Sequence, residues 1–159
     1  MRILGIDPGT GILGFGVIDA STSNKVKLVD GGVIRTPVKE DDSVRLLTIY
    51  DELTEIIKET NPEAMAIEKL FFAQNVTTAM TVSQARGVVI LCGMKAGLQI
   101  FEYTPLQIKQ ALTGYGRADK KQIQEMVRVI LGLKDIPKPD DCADALATAI
   151  CHSMTARFA

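Results

Sequence analysis

The sequence predicts an α/β protein: one mixed sheet of five strands, three antiparallel and then parallel ones, flanked by helices. Three observations lead there. Apolar, partly alternating segments open the chain, with turn formers between them. From Ser43 onward, segments of helical period alternate with strand-like ones. The 159 residues, 47% hydrophobic and 23% charged, are enough for one domain with a sizeable core. No repeat, low-complexity tract or interdomain linker divides them, so residues 1–159 read as a single domain.

The elements follow in order. "RILGI" and "ILGFGVID" are short apolar runs joined through "DPGTG", which fits two antiparallel strands with a tight connection. "KVKLVDGGVIRT" is a third, either one strand or two with a kink at Gly31–Gly32. Ser43 then reads as the N-cap of a helix in which Val44, Leu46, Leu47, Tyr50, Leu53, Ile56 and Ile57 recur at helical spacing. Asn61–Pro62 ends it. "EAMAIE" is a buried strand closing on Glu68, and "LFFAQN" is a loop. A long helix from Val76 to Ala96 follows, rich in small residues: Ala79, Ser83, Ala85, Gly87 and Gly93. "LQIFEY" is the last strand. Thr104 and Pro105 are the N-cap and first residue of a short helix broken at "GYGRAD". "KKQIQEMVRVILGL" is another helix, and "PKPDD" leads into the final one, "CADALATAICHSM".

Composition excludes several classes. The longest apolar run, "GVVILCGM", is far too short to cross a membrane. The N-terminus reads as a strand, without the basic leader and cleavage site of a secretory signal. Cys92, Cys142 and Cys151 have no paired spacing and fit buried, reduced thiols of a cytoplasmic protein. With one histidine and no C-x-x-C there is no zinc signature. His152, deep in the last helix, reads as a packed or surface side chain. Net charge is −1 overall, yet Thr104 to Lys134 carries six basic residues (Lys109, Arg117, Lys120, Lys121, Arg128, Lys134) against Asp119 and Glu125. That local excess is the footprint of a polyanion partner. For Arg128 and Lys134 a solvated helix face is the better reading.

Four acids are placed to form a site. Asp7 and Glu68 each end a strand, and Asp141 and Asp144 share a face at the start of the last helix. Ala143, Ala145, Ala147 and Ala149 make that helix thin enough to lie close to a sheet. Alone, Asp7 in "IDPGT" fits a turn, a phosphate loop or a metal site, Glu68 fits a strand meeting solvent, and Asp140 fits a helix cap. Together, converging carboxylates raise one another's pKa unless a cation intervenes. All-oxygen ligands select Mg²⁺ or Mn²⁺, and a pair of such ions about 3.5–4 Å apart clamps a phosphodiester.

The residues "GIDPGTGILGFGVID", "AIEKLFFAQN", "SQARGVVI" and "DDCADALATAI" resemble the RuvC-type crossover junction endodeoxyribonucleases, the bacterial Holliday junction resolvases, in order over nearly the whole chain. The resemblance implies a ribonuclease H-like fold and a homodimer on a four-way DNA junction. It implies Mg²⁺-dependent, symmetric nicking of two strands of like polarity, in homologous recombination and DNA repair. The products would be 5′-phosphate and 3′-hydroxyl ends, and a branch-migration helicase complex would be a further partner. Asp7, Glu68, Asp141 and Asp144 would be the catalytic, metal-holding acids, with two ions per site. Some relatives have histidine at Asp141, and Asp140 is an additional acid here. Lys109 and Lys120 match lysines beside the junction, and Phe71 matches a wedge near the crossover, with Phe72 in the core. Gln74, Asn75, Arg86, Arg117 and Lys121 are further DNA contacts, and the helix from Val76 to Ala96 is the dimer candidate.

Two rivals differ in class. An actin-like phosphotransferase would need a second domain and a second Gly-rich phosphate loop, and neither is present. A non-catalytic junction-binding module would not need all four acids.

Overall fold

Continuous apolar runs build a sheet whose central strands are buried on both faces. The computed structural model describes residues 1–9, 11–69 and 76–156. Its strands are β1 (Arg2–Asp7), β2 (Ile12–Ala20), β3 (Val26–Arg35), β4 (Ala64–Glu68) and β5 (Gln99–Tyr103). They lie in the order β3-β2-β1-β4-β5. β1–β2 and β2–β3 are antiparallel, and β1–β4 and β4–β5 are parallel. The expected mixed sheet is therefore present.

The helices are α1 (Asp42–Thr60), α2 (Val76–Lys95), α3 (Pro105–Thr113), α4 (Lys120–Leu131) and α5 (Asp140–Thr155). Leu4, Ile6, Met65 and Ile67 face a core completed by Ile49, Leu53 and Ile57 of α1 and Ala85, Val89 and Cys92 of α2. Ile3, Ala66 and Tyr103 face the other core, with α3, α4 and α5. Alternation along β1 and β4 thus assigns Asp7 and Glu68 to the α5 face, with Ile3 and Ala66.

What lets α5 lie there is the absence of side chains on the sheet as well as on the helix. A methyl group built at Gly5 would collide with the Ala145 carbonyl, and one at Gly14 with the Asp141 carbonyl. The sequence reading credited the alanines of α5 and overlooked these glycines.

Local details correct the caps expected at Ser43 and Asp140 and choose between the two readings of the third strand. α1 starts two residues earlier than a cap at Ser43 allows: Asp41 is its N-cap, in an extended conformation, and makes no side-chain cap bond. Of its periodic apolar residues, Val44 and Leu47 are exposed. β3 is a single strand whose irregularity falls at Val29, between the Val17–Asp30 and Ile18–Leu28 pairs, while Gly31 and Gly32 stay in the ladder. Asp140 is no cap, because extended Pro139 holds that position and Asp140 is already helical.

Other expectations hold. Thr104 caps α3 with Pro105 in the first turn, through a reciprocal Thr104–Gln107 capping box, and Asp119–Gln122 repeats the device on α4. The three cysteines are free and buried. His152 is buried, with Nδ1 2.7 Å from the Tyr103 hydroxyl and its ring stacked on Phe101. Among the described residues no helix is long and apolar enough to cross a membrane.

Candidate active site

The parallel pairing of β1 with β4 aligns Ile6 with Ile67, so the next residues, Asp7 and Glu68, leave the sheet side by side. The N-terminal end of α5 crosses here and carries Asp141 in its first turn and Asp144 just after it. All four acids are half-buried.

Their electrostatics show that they share one space. Burial pushes Asp7 up to about 8, helped by the charges of Glu68, Asp144 and Asp141 and opposed by Lys120. Glu68 is raised by burial and then by Asp144, with Lys109 and Lys120 pulling the other way. Asp144 is raised by burial, with Lys120 opposing and Asp141 and Asp140 adding to the shift. Burial works against the charge of Lys120, yet Asp144 and Asp140 hold its pKa above the usual lysine value. Its Nζ lies 3.7 Å from Asp144 and 3.2 Å from Asp140. Asp140 also accepts from Gln124 Nε2 at 3.1 Å. The additional acid therefore turns toward Lys120 and Gln124 of α4.

A divalent cation suits this donor set. The four side chains offer only hard carboxylate oxygens, and their mutual repulsion is what a cation would relieve. Among the described residues, however, no three Asp, Glu, His or Cys side chains form a closed set of metal ligands. Asp7, Glu68, Asp141 and Asp144 are the side chains that would hold such an ion.

Two clefts meet at Glu68. One, of ≈ 180 Å³, is lined by Glu68, Lys109, Lys120, Asp144 and the start of α3. The other runs from Asp7 and Pro8 past Glu68 to Lys69 and Arg86. The first is smaller than the roughly 300 Å³ at which small-molecule sites begin.

The remaining expected residues separate. Lys109 and Lys120 stand at the acids. Lys121, one residue on and about 100° around the helix, lines a different groove with Tyr115, Asp119 and Glu125. Arg117 is exposed, and Arg128 pairs with Glu125. Arg86, read from the sequence as a DNA contact, is committed within the protein. Its Nη1 donates to the Glu68 main-chain carbonyl at 2.8 Å, and Nη2 pairs with Glu102. Phe71, Phe72, Gln74 and Asn75 lie outside the described residues. The small residues of α2 divide: Ala79, Ala85 and Gly93 are buried, while Ser83 and Gly87 are exposed. Sequence reasoning missed Glu102, whose only signal was an acid in the last strand.

Comparison with known proteins gives a consistent answer. The family model described as crossover junction endodeoxyribonuclease RuvC matches residues 3–152. The crossover junction endodeoxyribonuclease RuvC of Desulfitobacterium hafniense is 57% identical over 153 residues, covering 96% of this chain and 92% of that protein. Its counterpart in Alkaliphilus oremlandii is 56% identical over 158 residues, covering 99% and 96%. The solved structure of Thermus thermophilus RuvC in complex with a Holliday junction substrate superposes with a TM-score of 0.95 at 40% identity, over 99% of this chain and 96% of that one. The mixed sheet with α5 laid across it is thus a ribonuclease H-like fold, and the chain belongs to the RuvC family of crossover junction endodeoxyribonucleases, hydrolases of phosphodiester bonds.

Proposed function

We propose that residues 1–159 act as one ribonuclease H-like nuclease domain that resolves Holliday junctions by Mg²⁺-dependent, symmetric nicking of two strands of like polarity. The reading leaves 5′-phosphate and 3′-hydroxyl ends and places the protein in recombination and repair in the cytoplasm, beside a branch-migration helicase. One observation carries it: Asp7, Glu68, Asp141 and Asp144 act electrostatically on one another at one end of the sheet, with Lys120 among them.

In this mechanism Asp7, Glu68, Asp141 and Asp144 would hold Mg²⁺, with Mn²⁺ able to replace it. When bound, two such ions supply charge stabilisation at the phosphate and a nucleophilic water. The protein's own part is orientation and charge. Asp7 and Glu68 present their carboxylates from adjacent rigid strand ends, and α5 sets the other two against them. Lys120, already raised in pKa by its acidic neighbours, keeps a positive charge beside the cleft and balances charge that develops on the scissile phosphate. Lys109 adds a second positive charge on the same wall.

A four-way junction presents equivalent strands, so a C2 pair of sites suits it. The exposed face of α2, with Met80, Leu91 and Met94 around Gly87, supports a homodimer through that helix. Lys121, Arg117, Gln74 and Asn75 are the proposed DNA contacts, with Phe71 as the wedge at the crossover. The direct test compares nicking of mobile and fixed four-way junctions with that of duplex, with and without Mg²⁺. Metal-dependent nicking confined to junctions supports the reading. Tight junction binding with no cleavage in Mg²⁺ or Mn²⁺ overturns it in favour of a binding module.

A further inference from the structure

The alternation that turns Glu68 toward α5 turns Glu102 the other way. Tyr103 packs in the α5 core, so its neighbour Glu102 faces α2. In the β4–β5 ladder Glu102 stands opposite Ile67, and Tyr103 opposite Glu68. Arg86 reaches these strand ends from α2. Its side chain is only 13% exposed. One arm of its guanidinium donates to the Glu68 carbonyl at 2.8 Å and the other holds the Glu102 carboxylate. A single planar group thus bridges the last residue of β4, the adjacent position of β5, and the helix that packs behind both. Lys69 N donates to Tyr103 O at 2.7 Å and continues the ladder past this point.

We infer that Arg86 is a positioning residue for Glu68: by fixing the backbone from which that carboxylate projects, it sets the carboxylate's aim at Asp7 and Asp144 and so tunes the metal site from the α2 end of the cleft it shares with Asp7. The inference rests on the assignment of Glu68 to that site. It removes Arg86 from the DNA-binding set, since a guanidinium engaged on both arms has little left to offer a phosphate. Lysine is a poor substitute, because an ammonium lacks the planar fork that serves two acceptors at once. Glu102 in turn orients Arg86 and is two steps from the metal.

The test uses the full chain and measures three things: Mn²⁺ affinity of the DNA-free protein by calorimetry, junction affinity in EDTA, and the Mg²⁺ dependence of nicking. Arg86→Ala is expected to weaken Mn²⁺ binding by roughly ten-fold, the lower end of the usual cost of losing an orienting partner. It is expected to raise the half-saturating Mg²⁺ concentration similarly, and to leave junction affinity in EDTA within about two-fold. Arg86→Lys should fall between it and wild type, and Glu102→Gln should move the same way by less. Should Arg86→Ala fail to fold, these two variants carry the test. Unchanged Mn²⁺ affinity in the folded variants overturns the inference. So does a loss of junction binding in EDTA as large as the loss of nicking, which would mark Arg86 as a phosphate contact. Asp7→Asn is the control for the reading beneath it. If that variant binds Mn²⁺ like wild type, the site assignment fails, whatever Arg86 does.

Discussion

Asp7 keeps a carboxyl group where burial and three neighbouring acids make its ionisation costly. Its ordinary value of 3.8 rises to about 8 in the folded chain. Between those values the native state holds a proton that the unfolded chain has released, so without metal its contribution to stability falls as pH rises. A bound divalent cation competes with that proton and reverses the preference. Thermal unfolding in EDTA is therefore expected to show a lower midpoint at pH 8 than at pH 5, and stabilisation by Mg²⁺ is expected to grow over the same range. Asp7→Asn should flatten both trends and abolish junction nicking, while gel-shift affinity in EDTA stays within about two-fold of wild type. A variant that nicks at the wild-type rate would remove Asp7 from the site.

α5 and α4 bring chemistry to the sheet in different ways. α5 works by proximity. Its carbonyls at Asp141 and Ala145 occupy space that a Cβ on β2 or β1 would fill. Gly14→Ala must push the helix away, together with Asp141. Overpacking of this kind costs about 1–3 kcal/mol, which chemical denaturation should register, and nicking should fall more than junction binding does. α4 works by rotation. Lys120 faces the acids and Lys121 faces another groove. Lys120→Ala should reduce the nicking rate by roughly 10²–10³, the usual cost of one electrostatic donor. Lys121→Ala should leave the rate at saturation and lower the slope of log affinity against log salt by about 0.9. Equal effects on both readouts would mean that the two lysines share one role.

The central strands of the sheet are sandwiched, with the site at one end and α1 and α2 closing one face. α2 buries Ala85 and Val89 inward, while Met80, Leu91 and Met94 are each more than half exposed. An apolar stripe of this kind on a helix that already has its core suits a second copy of the chain. Leu91→Glu should leave the far-ultraviolet circular dichroism unchanged and convert the proposed dimer to monomer in analytical ultracentrifugation. Paired nicking of a four-way junction should be lost with it. A wild-type mass would put the interface elsewhere.

The order of elements, the strand-ending acids and the basic stretch were legible because each depends on short-range chemistry. Short continuous apolar runs marked β1 and β4, turn formers marked their ends, and the i, i+3 spacing paired Asp141 with Asp144. The Thr104 cap needed only its own side chain and the next turn. What the linear pattern left undetermined depends on which surfaces meet. Asp140 looked like a cap until Pro139 took that place and α4 brought Lys120 within 3.2 Å. Arg86 looked like a free cation until β4 and β5 offered it a carbonyl and a carboxylate. The small residues of α2 looked like one stripe until the sheet claimed Ala79, Ala85 and Gly93 and left Gly87 outside. Gly5 and Gly14 carried no local signal, since their role is to be empty where a helix from the far end of the chain passes. Local periodicity named the acids of the site. Only packing between elements distant in sequence brought them within reach of one another, because a carboxylate's pKa and partners are set by what surrounds it in space.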